Sequence, residues 1–211
     1  GTIGTVANLK TLGTVSMTST DGFVALKDVN ADDSTGITVN LSGKTFISKT
    51  GLDGDADGIA DTAAVVTNKG GNITASVAGA ANANVEYKVT ASKGVVNLTA
   101  TNTGGLTSTV TNAGTIADAL TSTITLGNAV SGKSNNVTIK DTVATLNVTG
   151  GTGLDEITLT GAQVKSGTIA LGTTLVNTDL DSVSFNGING AVSGSAAAGV
   201  RERRRWYDWL S

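Results

Sequence analysis

The chain of 211 residues has no cysteine, no proline and no histidine, and its aromatic side chains are limited to three Phe, two Tyr and two Trp. Without cysteine there are no disulfides and no thiolate zinc sites, which leaves the cellular compartment open because many bacterial surface proteins dispense with disulfides. Without histidine the usual proton shuttle near neutral pH is missing, and so are the ligands for metals other than calcium or magnesium. Glu86, Glu156 and Glu202 are the only glutamates that join the aspartates as acids or bases. Composition therefore speaks against an enzyme. A polysaccharide lyase on a β-helix remains an outside case, but such sites want a Lys or Arg base near the ions, and every Arg lies in the last eleven residues. The absence of a run of about 18 apolar residues predicts no membrane span. The chain opens at Gly1 without Met or a signal-like segment, which suggests a processed product or an excised fragment.

What is present is glycine (28) and threonine (35), with a net charge of -3 that argues against nucleic acid as the main partner. A core must then come from Val, Ile, Leu and Ala, and β-branched residues favour strands. Short Thr/Val/Ile runs separated by Gly, Asn, Asp or Ser read as successive strands and turns. Val15 to Thr18 and Phe23 to Leu26 flank an Asp21-Gly22 turn and predict a hairpin. Ile37 to Leu41 alternates, and Lys44 to Lys49 returns. Val85, Tyr87 and Val89 share one face of a strictly alternating strand, so one side of that sheet should be buried. A β-sandwich over residues 1–112 is the economical packing. Thr115 to Leu120 reads as a short helix capped by Thr115. Beyond it, residues 113–192 carry short strands every eight to eleven residues, the pattern of a β-roll or a second sandwich. The expected class is all-β with little helix.

The most pointed stretch is Gly51 to Asp61. Asp53, Asp55 and Asp57 occupy the first, third and fifth positions of a D-x-D-x-D-G calcium loop, Gly58 supplies the turn, Ile59 a carbonyl and Asp61 the ninth position. A hard cation needs several converging oxygens, and carboxylates this close repel one another unless something neutralises them. The twelfth position is Ala64 rather than a bidentate Glu, so the loop is not a full EF-hand; a solvated Asp/Gly loop is the plainer alternative. A second candidate is Asp155. It lies in Gly150-Gly151-Thr152-Gly153-Leu154-Asp155-Glu156-Ile157-Thr158, which fits the G-G-x-G-x-D-x-U-x nonapeptide of calcium β-rolls.

With these two motifs, low proline and acidic charge, the chain resembles RTX-type, type I-secreted bacterial surface-layer proteins and adhesins. The compositional likeness spans about residues 1–200, and the motifs only the two segments just quoted. The resemblance implies export in an unfolded state, folding outside the cell on calcium, an Asp155 that chelates between turns, an Ile157 that points inward, and tiling with copies of itself. A tandem array of nonapeptides is lacking.

N-x-S/T sequons at Asn40, Asn72, Asn97, Asn136 and Asn147 are about as many as this composition produces by chance, and they carry no weight. Residues 193–200 read as a flexible linker. The basic, aromatic segment 201–211 is either a cloning scar or altered reading frame, or an anchoring or assembly peptide. The reading that follows is a non-catalytic, extracellular, cell-surface subunit of an S-layer-like array or filament, bound to copies of itself through calcium, with cell-surface polysaccharide as a further partner. The alternatives are an adhesin or autotransporter-like binding module, or the surface domain of a flagellin-like filament.

Overall fold

A computed structural model describes residues 2–3, 13–20, 23–26, 28–31, 36–44, 46–47, 63–68, 71–80, 82–90, 94–114, 119–130, 132–160, 163–171, 181–186, 193–196 and 201–204. Among the described residues every regular element is a strand, and every strand pairing is parallel. The all-β expectation holds. The sandwich does not: the chain winds as a parallel β-solenoid, laying each turn of the coil on the one before.

The order of elements shows the winding. After β1 (Thr2–Ile3), the first coil has β2 (Thr14–Thr18), then β3 (Phe23–Leu26) and β4 (Asp28–Asn30). The second has β5 (Gly36–Gly43), β6 (Phe46–Ile47) and β7 (Ala64–Asn68). Next come β8 (Asn72–Gly79) with β9 (Asn82–Val89), and β10 (Val96–Ala100) with β11 (Leu106–Asn112). β12 (Thr121–Thr125) leads into β13 (Ser134–Thr149), whose long run turns a corner and starts the following coil. β14 (Leu154–Thr160), β15 (Gln163–Leu171), β16 (Ser182–Asn186), β17 (Ser193–Ala196) and β18 (Arg201–Arg204) complete the order.

Two ladders result. Sheet 1 stacks β2, β5, β8, β10, β12, the second half of β13, β15 and β17. Sheet 2 stacks β9, β11, the first half of β13, β14, β16 and β18, with β3, β4, β6 and β7 before them. Both run past residue 112 without a break, because β10 pairs with β12 and β11 with β13. The segments expected on either side of that point therefore share both sheets. Hydrogen-bonded partners on adjacent coils typically lie 20 to 26 residues apart.

The predicted hairpin of Val15–Thr18 with Phe23–Leu26 is not formed. β2 pairs with β5 and β3 with β6, so the turn after β2 passes the chain to the other sheet. The same holds for Ile37 to Leu41 and the segment after it, which enter different sheets. Ser193–Ala196, read as linker, pairs with β15, and Arg201–Arg204 pairs with β16. Residues 115–118 of the predicted helix lie outside the described residues.

Alternation decides which side chains face inward. On sheet 1 the column Val39, Ala75, Leu98, Ile124, Val148, Ile169 is buried. On sheet 2 Ala64, Val85, Val137, Ile157 and Val183 form its counterpart, interrupted by Ser108. The Ser108 hydroxyl donates to the Val85 carbonyl at 2.6 Å. Val85, Tyr87 and Val89 are all buried, as their spacing predicts. Like side chains stacked at strand spacing make the interior a set of aliphatic ladders, and each coil is covered only when its neighbours are in place.

A polar tie crosses that interior. Asn112 of sheet 2 accepts from the Val96 amide and donates to Ser122 Oγ at 3.0 Å, and Ser122 Oγ donates to the Val96 carbonyl at 2.6 Å. Side chains thus satisfy backbone groups where an aliphatic residue would leave the strand unpaired.

Tyr87 is the exception. Its ring fills the column Val66, Tyr87, Val110, yet its hydroxyl is buried without a hydrogen-bond partner among the described residues. Burial also pushes the phenol's pKa up. Tyr87→Phe removes the unsatisfied hydroxyl and keeps the ring, so it should raise unfolding stability by about 1 kcal/mol, read as a higher urea midpoint at unchanged m-value. A lower midpoint would show that the hydroxyl has a partner in solution.

Candidate functional site

The Asp-rich segment enters and leaves the ladder at a defined place. Ile47 pairs with Ala83 and Ala64 with Val85, so residues 48–63 stand where the next coil has Asn84 alone. Ile47 and Ala64 are both fully buried, and Asn84 is partly exposed on the outer side of sheet 2. The insertion therefore interrupts a strand at an outward position and leaves the inward alternation intact. Asn40 and Ser76, which bracket it, lie 36 residues apart although they are hydrogen-bonded neighbours. Asp53, Asp55, Asp57, Ile59 and Asp61 lie outside the described residues.

The Gly-rich nonapeptide is described throughout, and coil stacking accounts for its glycines. A Cβ on Gly151 would sit 2.2 Å from the Gly127 carbonyl oxygen of the coil below. Gly153 has φ +109°, and a Cβ there would meet the Ala129 carbonyl oxygen at 2.4 Å. The turn is anchored to both sides: the Gly150 amide donates to the Ala170 carbonyl at 2.7 Å and the Thr152 amide to Asn128 Oδ1 at 2.8 Å. Glycine is required here for close approach and for left-handed backbone. Gly151→Ala should cost more than about 2 kcal/mol, seen as a fall in melting temperature.

Asp155 follows this turn and faces inward, 1% exposed, on the column Ile47, Ala83, Leu106, Asn135, Asp155. Its Oδ1 accepts from Asn135 Nδ2 at 2.8 Å and its Oδ2 from the Gly151 amide at 2.9 Å. Asn135 Nδ2 also donates to the Gly127 carbonyl at 3.0 Å, leaving Asn135 Oδ1 without a partner among the described residues. One coil further on, Asp181 Oδ1 accepts from the Asp155 amide at 2.9 Å, and Asp181 is itself buried. The column thus passes from aliphatic to amide to carboxylate. Ile157 points into the interior.

Electrostatics follow from the enclosure. Burial is the main cause that pushes the Asp155 carboxyl up to about 6, the neighbouring Asp181 charge adds to it, and the donors Asn135 and Gly151 oppose it. Asp181 is also raised by burial, against the hydrogen bond from the Asp155 amide. A cation at Asp155 would compete with two N–H donors already in place. Among the described residues no group of three or more His, Cys, Asp or Glu is placed to hold a metal. Asn135 and Asp181 were not singled out in the sequence, although each continues the inward parity of an apolar strand.

Comparison with protein families, with curated proteins and with solved structures returned no match. No helix among the described residues is long and apolar enough to cross a membrane.

The raised carboxyl fixes the sign of a pH dependence. The folded state holds the Asp155 proton more tightly than the unfolded chain, whose carboxyl titrates near 3.8. Protonation therefore favours the fold, fully so below that value, and the benefit is lost as pH rises through about 6. Urea unfolding should show this component declining between pH 4 and pH 7 by on the order of 2 kcal/mol after solvent screening. Asp155→Asn should flatten the profile over the same window, and an unchanged slope would show that Asp155 stays ionised in the fold.

Proposed function

We propose that the chain is a non-catalytic structural subunit of a bacterial extracellular surface array or filament, S-layer-like in kind, stabilised or assembled through calcium. The observation that carries this reading is the unbroken parallel stack. Coils with an aliphatic interior and, on the outer face of sheet 1, short hydroxyl or amide side chains make a scaffold whose features repeat, and such surfaces tile readily. Asp53, Asp55, Asp57, Ile59 and Asp61 are the proposed calcium ligands on the strength of their spacing. An ion that closed the insertion would hold the two halves of one coil, Ile47 and Ala64, in the ladder. Cell-surface polysaccharide is the proposed anchor.

One observation favours a second reading, an adhesin or autotransporter-like module. The ladder is interrupted between Ile47 and Ala64, opposite the outward Asn84 and with the inward alternation kept, and such a break is a place where a solenoid can carry a binding loop.

Calcium near 1 mM, in the range of weak extracellular sites, should raise the melting temperature and the light-scattering mass, and negative-stain microscopy should show sheets or filaments that chelator disperses. Asp55→Asn with Asp57→Asn should abolish the calcium-dependent part of both. Purified protein that shows no thermal shift with calcium and stays monomeric at every concentration would overturn the array reading. A calcium shift in a persistent monomer would leave the adhesin reading standing.

A further inference from the structure

The two outer faces of the solenoid differ in kind. Sheet 2 carries Glu86, Lys88, Lys140 and Glu156 on its outward positions. Sheet 1 carries Thr, Ser, Asn and small residues. Its central outward column is Thr38, Thr74, Asn97, Thr123, Asn147, Thr168 in consecutive register. From β2 to the second half of β13, no charged side chain stands on the outward positions described for sheet 1. Lys165 comes only at the start of β15, beside the corner.

We propose that the outer face of sheet 1 is the lateral contact between subunits, docked face to face on the same face of a second copy. This deepens the array reading and rests on it. A surface that repeats at the coil spacing, about 4.8 Å, is matched along its whole length only by another surface with the same repeat. A second copy supplies one. The side chains are short and several are already held by their neighbours: Ser76 Oγ donates to Asn40 Oδ1 at 2.7 Å, and Asn40 Nδ2 to Ser16 Oγ at 3.3 Å. Ordering them further costs little entropy, and small polar ladders of this type interdigitate between paired sheets.

Charge and area agree with this occupant. The chain carries a net charge of -3, and a face with no charged side chain on these strands lets two copies meet without placing like charges opposite each other. The six strands from β2 to the second half of β13, at about 4.8 Å spacing and each about five residues long, give a face of about 29 by 17 Å, or about 1,000 Å² when two copies pair. That is at the lower edge of a stable interface, so a single pair is weak and repetition in an array consolidates it. The contact is isologous, with each column meeting its own symmetry mate.

The test uses the full chain with calcium near 1 mM. Thr74→Lys with Thr123→Lys puts charges in the middle of the face, and Thr107→Lys with Thr138→Lys puts the same charges on the outer side of sheet 2. Sedimentation velocity should show the first pair weakening self-association about a hundredfold and the second pair leaving it near the unsubstituted chain. Circular dichroism confirms the fold of each. Because the chain has no cysteine, Thr123→Cys provides an independent readout: mild oxidation should give a disulfide-linked dimer, whereas Thr107→Cys should not. If the sheet 1 lysines leave assembly unchanged and Thr123→Cys does not cross-link, the face is not the contact, although the array reading survives. If the unsubstituted chain never associates, both fall. If it remains monomeric but adsorbs through this face to ice or to an insoluble polysaccharide, the occupant is a foreign lattice and the proposal is overturned.

Discussion

Parallel hydrogen bonding between successive coils is the constraint from which the other features follow. Once Thr38 lies beside Thr74, and Thr74 beside Asn97, every residue of those strands has a fixed neighbour one coil away and a fixed side of the sheet. Inward positions must then be apolar or self-satisfying, because no solvent reaches them. Turns must let one backbone lie on another, which is why Gly151 meets the Gly127 carbonyl with no room for a Cβ. In this architecture the glycines of the nonapeptide and the valines of the core answer the same demand for close stacking.

The polar interior shows how far that demand can be bent. Asn112 and Ser122 replace aliphatic residues at one level and supply hydrogen bonds to Val96. Asn135, Asp155 and Asp181 do something similar along another inward column of sheet 2 and its approach, but there two carboxylates follow an amide. An amide brings both donor and acceptor; a carboxylate brings acceptors only, and inside a solenoid its charge is poorly solvated. The raised Asp155 carboxyl is the consequence, and the hydrogen bonds from Asn135 and Gly151 reduce it without cancelling it.

The strands themselves were legible in the sequence, because alternation survives whatever partner a strand chooses. Val85, Tyr87 and Val89 are inward, as their spacing requires. The partner was not legible. A hairpin strand and a coil of a solenoid have the same period of two, so Asp21-Gly22 read as a reversal when the strand after it joins the other sheet. Regular spacing in the second half suggested a roll, whereas the unequal coil lengths and the long insertion hid the same organisation in the first half. Extending parity would have found the buried ladder, since Asn135 shares it with Val137 and Ile139, and Asp181 with Val183. The sequence pattern stopped at the polar residue because a polar residue is the ordinary sign that a strand has ended.

Parity also bears on why an insertion of sixteen residues is tolerated in mid-strand. Leaving the ladder after inward Ile47 and re-entering at inward Ala64 keeps the two-residue rhythm of the neighbouring coil, where Ala83 and Val85 flank Asn84. The cost is therefore mainly loop closure, which for such a length is about 2.5 kcal/mol plus a constant. An ion bound only by the folded loop, at a hundredfold excess over its Kd, would contribute about 2.7 kcal/mol. The ion's contribution is of the same order as the length-dependent part of that cost. In the proposed function, calcium in the aspartate segment would offset part of the penalty of interrupting the coil.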